Sequence, residues 1–408
     1  MQDFLDYIEV HLLNSQPKRI PVLFWYTLPQ SINVQIEIVG FLENGDVKLI
    51  EHSFVMRIYR NVFSQMIEPC ALFLAWEKFR KGKRHRKDVA RFDWELEQNI
   101  FELHRELSSK TYHHGAYSGF YITDPKQRHI HKATVRDRVV HHAVFQVLNP
   151  IFEPTFVANS FSCRVGKGTH KGVVAVERMS RKVSQNYTRP CFVLKCDVRR
   201  FFDSIDHDVL LGILGRRIKD GDVMWLLDRI VRSYISEYAN LFERKGVPIG
   251  NLTSQLFANV YMNEFDQFVK QKLKVKHYAR YTDDFVVLHH DRDELERLLP
   301  LIEGFLNDRL RLSLHPKKVS VRSLHQGIDF LGYVVRPHCV TLRTKTKRRM
   351  FRNLDHKVQR FNKDKLGAAS LAQSVNSYLG VLSHANARKT EDLVHGKVWY
   401  EAEKPFAD

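Results

Sequence analysis

The sequence predicts an α+β protein: a small β-containing module, then short strands alternating with helices, then a wholly helical C-terminal part. β-prone runs (FVLKCDV, HYARYTDDFVVLHH and IDFLGYVV) punctuate residues 121–333, with helix-like stretches between them. Strand pairs separated by helices specify an α+β or α/β core. Within residues 1–60, Ile32, Val34, Ile36 and Ile38 alternate with Asn33, Gln35 and Glu37, the period-two pattern of a half-buried strand. Beyond residue 344 the apolar period lengthens to that of a helix.

Taken in order, Asn44-Gly45 separates the first strand from Val47–Ile50 and predicts a hairpin turn. Between Lys78 and Arg91 the chain carries eight Lys/Arg and one acid, Asp88. Such a run reads either as a solvated helix face or loop, or as a contact to a phosphate backbone. Residues 91–107 read as a helix leading into a turn at His113-His114-Gly115, and further helices are expected over 137–148, 207–219, 222–235, 253–272 and 292–310. Met350, Leu354, Val358 and Phe361 give one amphipathic helix over 345–363, and Leu371, Val375, Tyr378 and Leu382 a second.

The chain has 408 residues, with 64 Lys+Arg against 46 Asp+Glu, a formal net charge of +18. At roughly 100–200 residues per domain this is about two to four domains or lobes. Hydrophobic residues at 44% and charged residues at 27% exclude a mostly disordered chain. The positive excess favours a polyanion partner, nucleic acid first and an anionic membrane surface second. No run approaches the roughly 18–20 apolar residues of a spanning helix, so no membrane partner is expected. The start, MQDFLDYIEV, lacks the basic-then-apolar layout of a secretion signal. Cysteines at 70, 163, 191, 196 and 339 are odd in number and form no C-x-x-C pair. Neither a disulfide framework nor a zinc knuckle is supported, and a reducing cytoplasm is the expected compartment.

The sharpest local feature is Ala279-Arg-Tyr-Thr-Asp-Asp-Phe-Val-Val-Leu288, with Asp283 and Asp284 between two β-prone runs. Clustered carboxylates repel unless a cation or a hydrogen-bond network neutralises them. A divalent ion of the Mg²⁺ kind suits such hard oxygen ligands; the bland alternative is an ordinary Asp-Asp turn. A second carboxylate, Asp197, ends the apolar run Phe192-Val-Leu-Lys-Cys-Asp197. A strand end holds a metal ligand rigidly. Asp197, Asp283 and Asp284 together suit two Mg²⁺ ions about 3.5–4 Å apart, the arrangement that serves attacking and leaving oxygens in phosphoryl transfer. Asp203 and Asp206, in FFDSIDHD, compete for that role but look more like helix caps. Two-metal sites of this kind serve nucleases as well as other phosphoryl transfers. The histidine pairs 113–114, 141–142 and 289–290 have no matching ligand set along the chain.

Tyr281-Thr-Asp-Asp284 resembles the Tyr-x-Asp-Asp box of reverse transcriptases, and Asp197 falls where their first catalytic aspartate lies. The resemblance makes Phe202 the bulky gate against a ribose 2′-hydroxyl; without its register to Asp197 the residue reads as an ordinary core Phe. It makes Lys126 and Arg128 the fingers-side groups that meet an incoming triphosphate, and Lys318 the lysine of the motif after the aspartate pair. Asp329-Phe330-Leu331-Gly332-Tyr333 is similar to the primer-grip turn. The likeness runs from about residue 65 to 390 and leaves residues 1–60 uncovered. It implies a right-hand polymerase fold, with fingers at 61–190, a palm of antiparallel sheet plus helices at 191–343, and a helical basic thumb and tail at 344–408. It further implies an RNA template, a DNA or RNA primer, dNTPs, and two Mg²⁺ per site with Mn²⁺ as a substitute. Lys345, Lys347, Arg348, Arg349 and Arg352 are expected along the template–primer duplex, touching phosphates.

Gly246-Val-Pro-Ile249-Gly250-Asn-Leu-Thr-Ser254-Gln255 departs from the common Gln-Gly-x-x-x-Ser-Pro form, with Ile249 for Gln and Gln255 for Pro. This version resembles the reverse transcriptases of diversity-generating retroelements. Phe161-Ser-Cys-Arg-Val-Gly-Lys-Gly-Thr-His170 also looks like that group. The resemblance implies frequent misincorporation opposite adenine, a small basic accessory protein, and a bacterial, archaeal or phage origin. It places Ile249, Gly250 and Gln255 against the nascent base pair, where Ile249 either loosens selection or simply packs. An antiphage defence enzyme and an RNA-binding, maturase-like scaffold are the competing expectations.

Overall fold

The alternating run Ile32–Ile38 forms the middle strand of a three-stranded antiparallel sheet, between Val22–Thr27 and Met56–Tyr59. Gly40–Glu43 pairs with Asp46–Leu49, and the turn expected at 44–45 lies outside the described residues. The structure, a computed structural model, describes residues 22–27, 32–38, 40–43, 46–49, 56–124, 126–240 and 242–401. The expected reading of the first ten residues therefore also lies outside it. The architecture is α+β, with antiparallel sheets and helices. Among the described residues no helix is long and apolar enough to cross a membrane.

By their contacts the residues divide into two units, one comprising 1–116, 133–147 and 208–233 and the other 117–132, 148–207 and 234–408. The first is largely helical. Pro69–Arg80, Lys87–Trp94 and Leu96–Ser108 bury Leu72, Trp76, Phe79, Phe92 and Leu103 among themselves. The single helix expected over 91–107 is two, because the chain breaks at Glu95 (φ −114°, ψ 37°). Asn99 Nδ2 donates to the Phe92 carbonyl at 3.1 Å across that break. Asp220 caps Gly221–Arg232 through Asp222 N and Val223 N, at 3.0 and 3.2 Å. Its second carboxylate oxygen accepts from Val62 N and Phe63 N at 2.7 and 3.0 Å, where the helix Phe63–Ile67 begins. In the 78–91 run most of the side chains are exposed, and Arg80 is tied to Glu77 and Asp93.

The second unit is built on a four-stranded antiparallel sheet, in the order Ser320–Ser323, Phe192–Asp197, Asp284–His289, Tyr278–Tyr281. The helix Arg292–Leu310, capped by Asp291 through Asp293 N, packs on the three strands that begin that order. Thr169–Val183 packs on Tyr278–Tyr281 and Asp284–His289, and Val173, Val176, Val193, Val286 and Leu288 share one apolar cluster there. The long helix expected over 253–272 is α-helical from Leu252 to Gln267 and widens to a π-turn at Phe268–Lys272. A smaller sheet (Ile328–Phe330, Tyr333–Arg336, Cys339–Leu342) leads into three helices, Thr344–Asn362, Ala368–Leu382 and Arg388–Glu401. Met350, Leu354, Val358 and Phe361, the stripe read from the sequence, are the buried face of the first of these.

Candidate active site

Antiparallel pairing brings the expected carboxylates together. Asp197, last residue of its strand, is the register partner of Asp284, first residue of the next. Cross-strand partners project to the same side of a sheet. Asp197 and Asp284 therefore share the face of Lys195 and Val286, the next pair along, which runs on into the apolar cluster under Thr169–Val183. Asp283 lies in the turn between Tyr278–Tyr281 and Asp284–His289, and its carbonyl accepts from Val198 N at 3.1 Å.

That turn is held from beneath by a fully buried ion pair. The Arg280 guanidinium donates to Asp266 Oδ1 and Oδ2 at 2.7 and 2.6 Å. Its Nη1 donates to the Thr282 carbonyl at 2.9 Å, and Nη2, already on Asp266, also donates to Ser160 Oγ at 3.1 Å. Thr282 has φ 57°, a left-handed conformation that costs a β-branched residue energy unless its surroundings hold it. Thr282 Oγ1 pairs with Ser162 Oγ at 2.6 Å, a second hold on the same residue.

The electrostatics follow from this packing. Burial and the neighbouring Asp197 push the Asp283 carboxyl above its ordinary value, against the charges of Lys318 and Arg128. Burial raises Asp284 to about 6; Lys195 opposes the rise, and Asp197 and Asp283 add to it. Lys318 Nζ lies 2.7 Å from Asp197 Oδ1, and Lys195 Nζ 3.4 Å from Asp284 Oδ2. Lys195 also donates to the Asp329 carbonyl at 2.5 Å. Asp284 Oδ1 is buried and has no hydrogen-bond partner among the described residues. A buried carboxylate oxygen without a partner is costly, and a cation ligated by oxygen is the group that satisfies it. The residues present therefore fit a divalent ion. Asp203 and Asp206 are engaged elsewhere, with Ser236 Oγ at 3.1 Å and Arg311 at 2.6 Å.

The remaining expected residues lie in the same unit. Lys126 and Arg128 are exposed, at the turn and on the returning strand of the hairpin Ser118–Ile122/Arg128–Lys132. Phe202 is half-buried beside fully buried Phe201, at a ring distance of 5.5 Å, so the core Phe of that pair is Phe201. Ile249 is half-buried and its carbonyl accepts from His131 N at 3.0 Å; Gln255 is exposed on Leu252–Gln267. Gly250 has φ 118°, and a Cβ there would come within 2.7 Å of Ile130 Cγ2, so only glycine fits this approach to the hairpin. Phe330 is core, whereas Leu331 and Gly332 turn through positive φ. They line a cavity of about 670 Å³ with Lys167, His170, Lys171 and Arg349. On Thr344–Asn362, Lys345, Arg348 and Arg352 are exposed, Arg349 pairs with Asp124 at 3.3 Å, and Lys347 sits 6.0 Å over the Phe351 ring.

Sequence reasoning missed Lys195, Asp266 and Arg280. Lys195 was detectable, since it lies two residues before Asp197 and so on the same face of one strand. A charged residue inside the β-prone run HYARY was the available sign of a buried pair at Arg280. It also missed that His129, His131 and Glu237, not the aspartates, are the trio of potential ligands whose donor atoms all fall within 4.8 Å of one another among the described residues. In the first unit, His114 and His141 meet at 3.1 Å beside buried Asp137.

Comparison with known proteins matches residues 123–335 to the family model of the reverse transcriptase (RNA-dependent DNA polymerase) domain. Protein YkfC of Escherichia coli is 26% identical over 232 residues, 49% of this chain and 60% of that protein. The group II intron-encoded protein LtrA of Lactococcus lactis is 23% identical over 279 residues, 65% of this chain and 45% of that protein. The chain thus spans less than two thirds of these relatives' lengths. A solved structure of telomerase from Candida albicans in complex with a fragment of telomeric RNA is similar at 14% identity and a TM-score of 0.45, over 70% of this chain and 54% of that one. With residues 123–335 of 408 matched, the chain belongs to the reverse transcriptase family.

Proposed function

We propose that the protein is an RNA-directed DNA polymerase that copies an RNA template from a DNA or RNA primer by two-metal phosphoryl transfer. The observation that carries this is the register pairing of Asp197 with Asp284 beside Asp283, with Asp284 Oδ1 buried and unbonded. Asp197, Asp283 and Asp284 would hold two Mg²⁺, with Mn²⁺ as a substitute; when bound, these ions activate the primer 3′-hydroxyl and offset charge on the departing pyrophosphate. Arg128 and Lys126 reach solvent where a triphosphate enters, and Arg128 can grip it as a bidentate fork. Lys318, already on Asp197, adds positive charge at the same point. Phe202 stands over the sugar as a volume filter. We assign 61–190 to fingers, 191–343 to the palm and 344–408 to the thumb and tail, with Lys345, Arg348 and Arg352 on duplex phosphates. Asp283→Ala should lower primer extension on an RNA template by at least about a thousandfold and leave RNA affinity unchanged. Undiminished extension would overturn the reading, and full cellular function without extension would favour a scaffold.

The finer role is the error-prone polymerase of a diversity-generating retroelement, aided by a small basic accessory protein. Its support is the Ile249-Gly250 loop, which replaces an amide side chain with a half-buried aliphatic one and is hydrogen-bonded to the strand bearing Arg128. Misinsertion opposite template adenine should exceed that at the other bases and fall in Ile249→Gln. Equal error rates at all four bases would sink this role.

A further inference from the structure

Outside the aspartate site, the hairpin that carries Arg128 brings three potential metal ligands together. We propose that His129, His131 and Glu237 form a second metal site, selective for a transition ion of the zinc kind over Mg²⁺. Their ligand atoms all lie within 4.8 Å of one another. His129 and His131 are two apart on one strand, so both rings project from one face.

Both rings are held in place. The Tyr121 ring stacks on His129 at 4.5 Å and 10°, and Gly119 has no Cβ to obstruct the His129 Nε2 edge. The opposite edge, Nδ1, consequently faces Glu237 Oε1 at 3.7 Å. His131 packs its ring against Tyr234 at 4.7 Å, with its main chain fixed by Ile249 O and by Asn251 Nδ2. The Glu237 main chain follows Ser236, which is anchored to Lys245 O and Asp203, while the Glu237 side chain is 72% exposed and free to rotate inward.

The donor set chooses the ion. Two imidazoles and a carboxylate match open four-coordinate zinc sites, with bonds of about 2.0–2.2 Å and a position left for water. Ligands of one such ion lie about 3.3 Å apart, so from a spacing within 4.8 Å the three side chains need a closing shift of at most about 1.5 Å. Mg²⁺ prefers all-oxygen ligands and would stay with the aspartates. An ion here would pin strand 128–132 to the segment 234–237, next to the Ile249 carbonyl.

The full chain, stripped with a chelator and returned to excess Mg²⁺, is titrated with Co²⁺ as a visible probe and Zn²⁺ as competitor. The expected result is one equivalent of Co²⁺ with four- or five-coordinate d–d bands, displaced by Zn²⁺. Glu237→Gln and His131→Asn should each weaken binding at least about tenfold. Glu237→Gln changes an exposed side chain and should leave the metal-free melting temperature unchanged, which keeps the test readable if His131→Asn destabilises. Three results would overturn the site: no binding in excess Mg²⁺, affinity unchanged in both variants, or a thiolate-to-cobalt charge-transfer band tracing the ion to a cysteine.

Discussion

The hairpin Tyr278–Tyr281/Asp284–His289 and the hairpin Ser118–Ile122/Arg128–Lys132 belong to one unit and are built in opposite ways. In the first, one strand is interior to a four-stranded sheet, most side chains are buried, and an ion pair at zero exposure holds the turn. The second is a two-stranded sheet whose Ser118–Ile122 strand is exposed along its whole length. The buried hairpin fixes carboxylate oxygens that must not move relative to each other. The exposed one presents cations and rings to whatever arrives from solvent. A substitution in the first should therefore cost stability as well as chemistry, and one in the second mainly ligand affinity.

The strongest way to break this contrast is Asp266→Ala. It strands the buried Arg280 charge and should cost about 3–5 kcal/mol, read as a lower urea midpoint of the full chain. An unchanged midpoint would mean the turn does not depend on the pair. Asp266→Leu/Arg280→Met should regain much of the stability without regaining primer extension, which separates holding the fold from placing Asp283 and Asp284.

The next effect is read with pH. The Asp284 carboxyl titrates near 6 in the folded chain against an ordinary 3.8. The folded state thus binds this proton more tightly, so the associated stability is complete below about 3.8 and is lost as pH rises through about 6. In chelator, the stability of the wild-type chain relative to Asp284→Asn should improve by about 2 kcal/mol between pH 8 and pH 4. A pH-independent difference would place the carboxyl in water.

The smallest effect sharpens the other side of the comparison. Arg128→Lys keeps the charge and loses the fork, so the KM for dNTP should rise roughly tenfold with little change in melting temperature. A fall in melting temperature comparable with that of Asp266→Ala would show that the exposed hairpin is structural after all.

Legibility in the sequence followed the range of the interactions. The helix Arg292–Leu310 was readable to the residue because its cap, Asp291, and its apolar period are local. The break at Glu95 was not, since nothing in the local period marks it. In the site, Asp197, Asp283 and Asp284 stood out as motifs, yet the sequence offered no register, and it is register that pairs Asp197 with Asp284 and sets Lys195 beside them. Glu237 was invisible as a partner of His129 for the same reason: their proximity depends on tertiary packing, not on spacing.

Asp220 has a consequence for how the chain is made. Its carboxylate joins the start of Gly221–Arg232 to Val62, 158 residues earlier. At about 5–20 residues per second, the ribosome releases the Phe63 amide roughly 8–30 s before its acceptor exists. The segments 1–116, 133–147 and 208–233 form one unit, so its helices wait, part of their apolar surface uncovered, while residues of the other unit are synthesised in between. Chaperone demand should accordingly peak before residue 233 has cleared the exit tunnel, well ahead of chain completion.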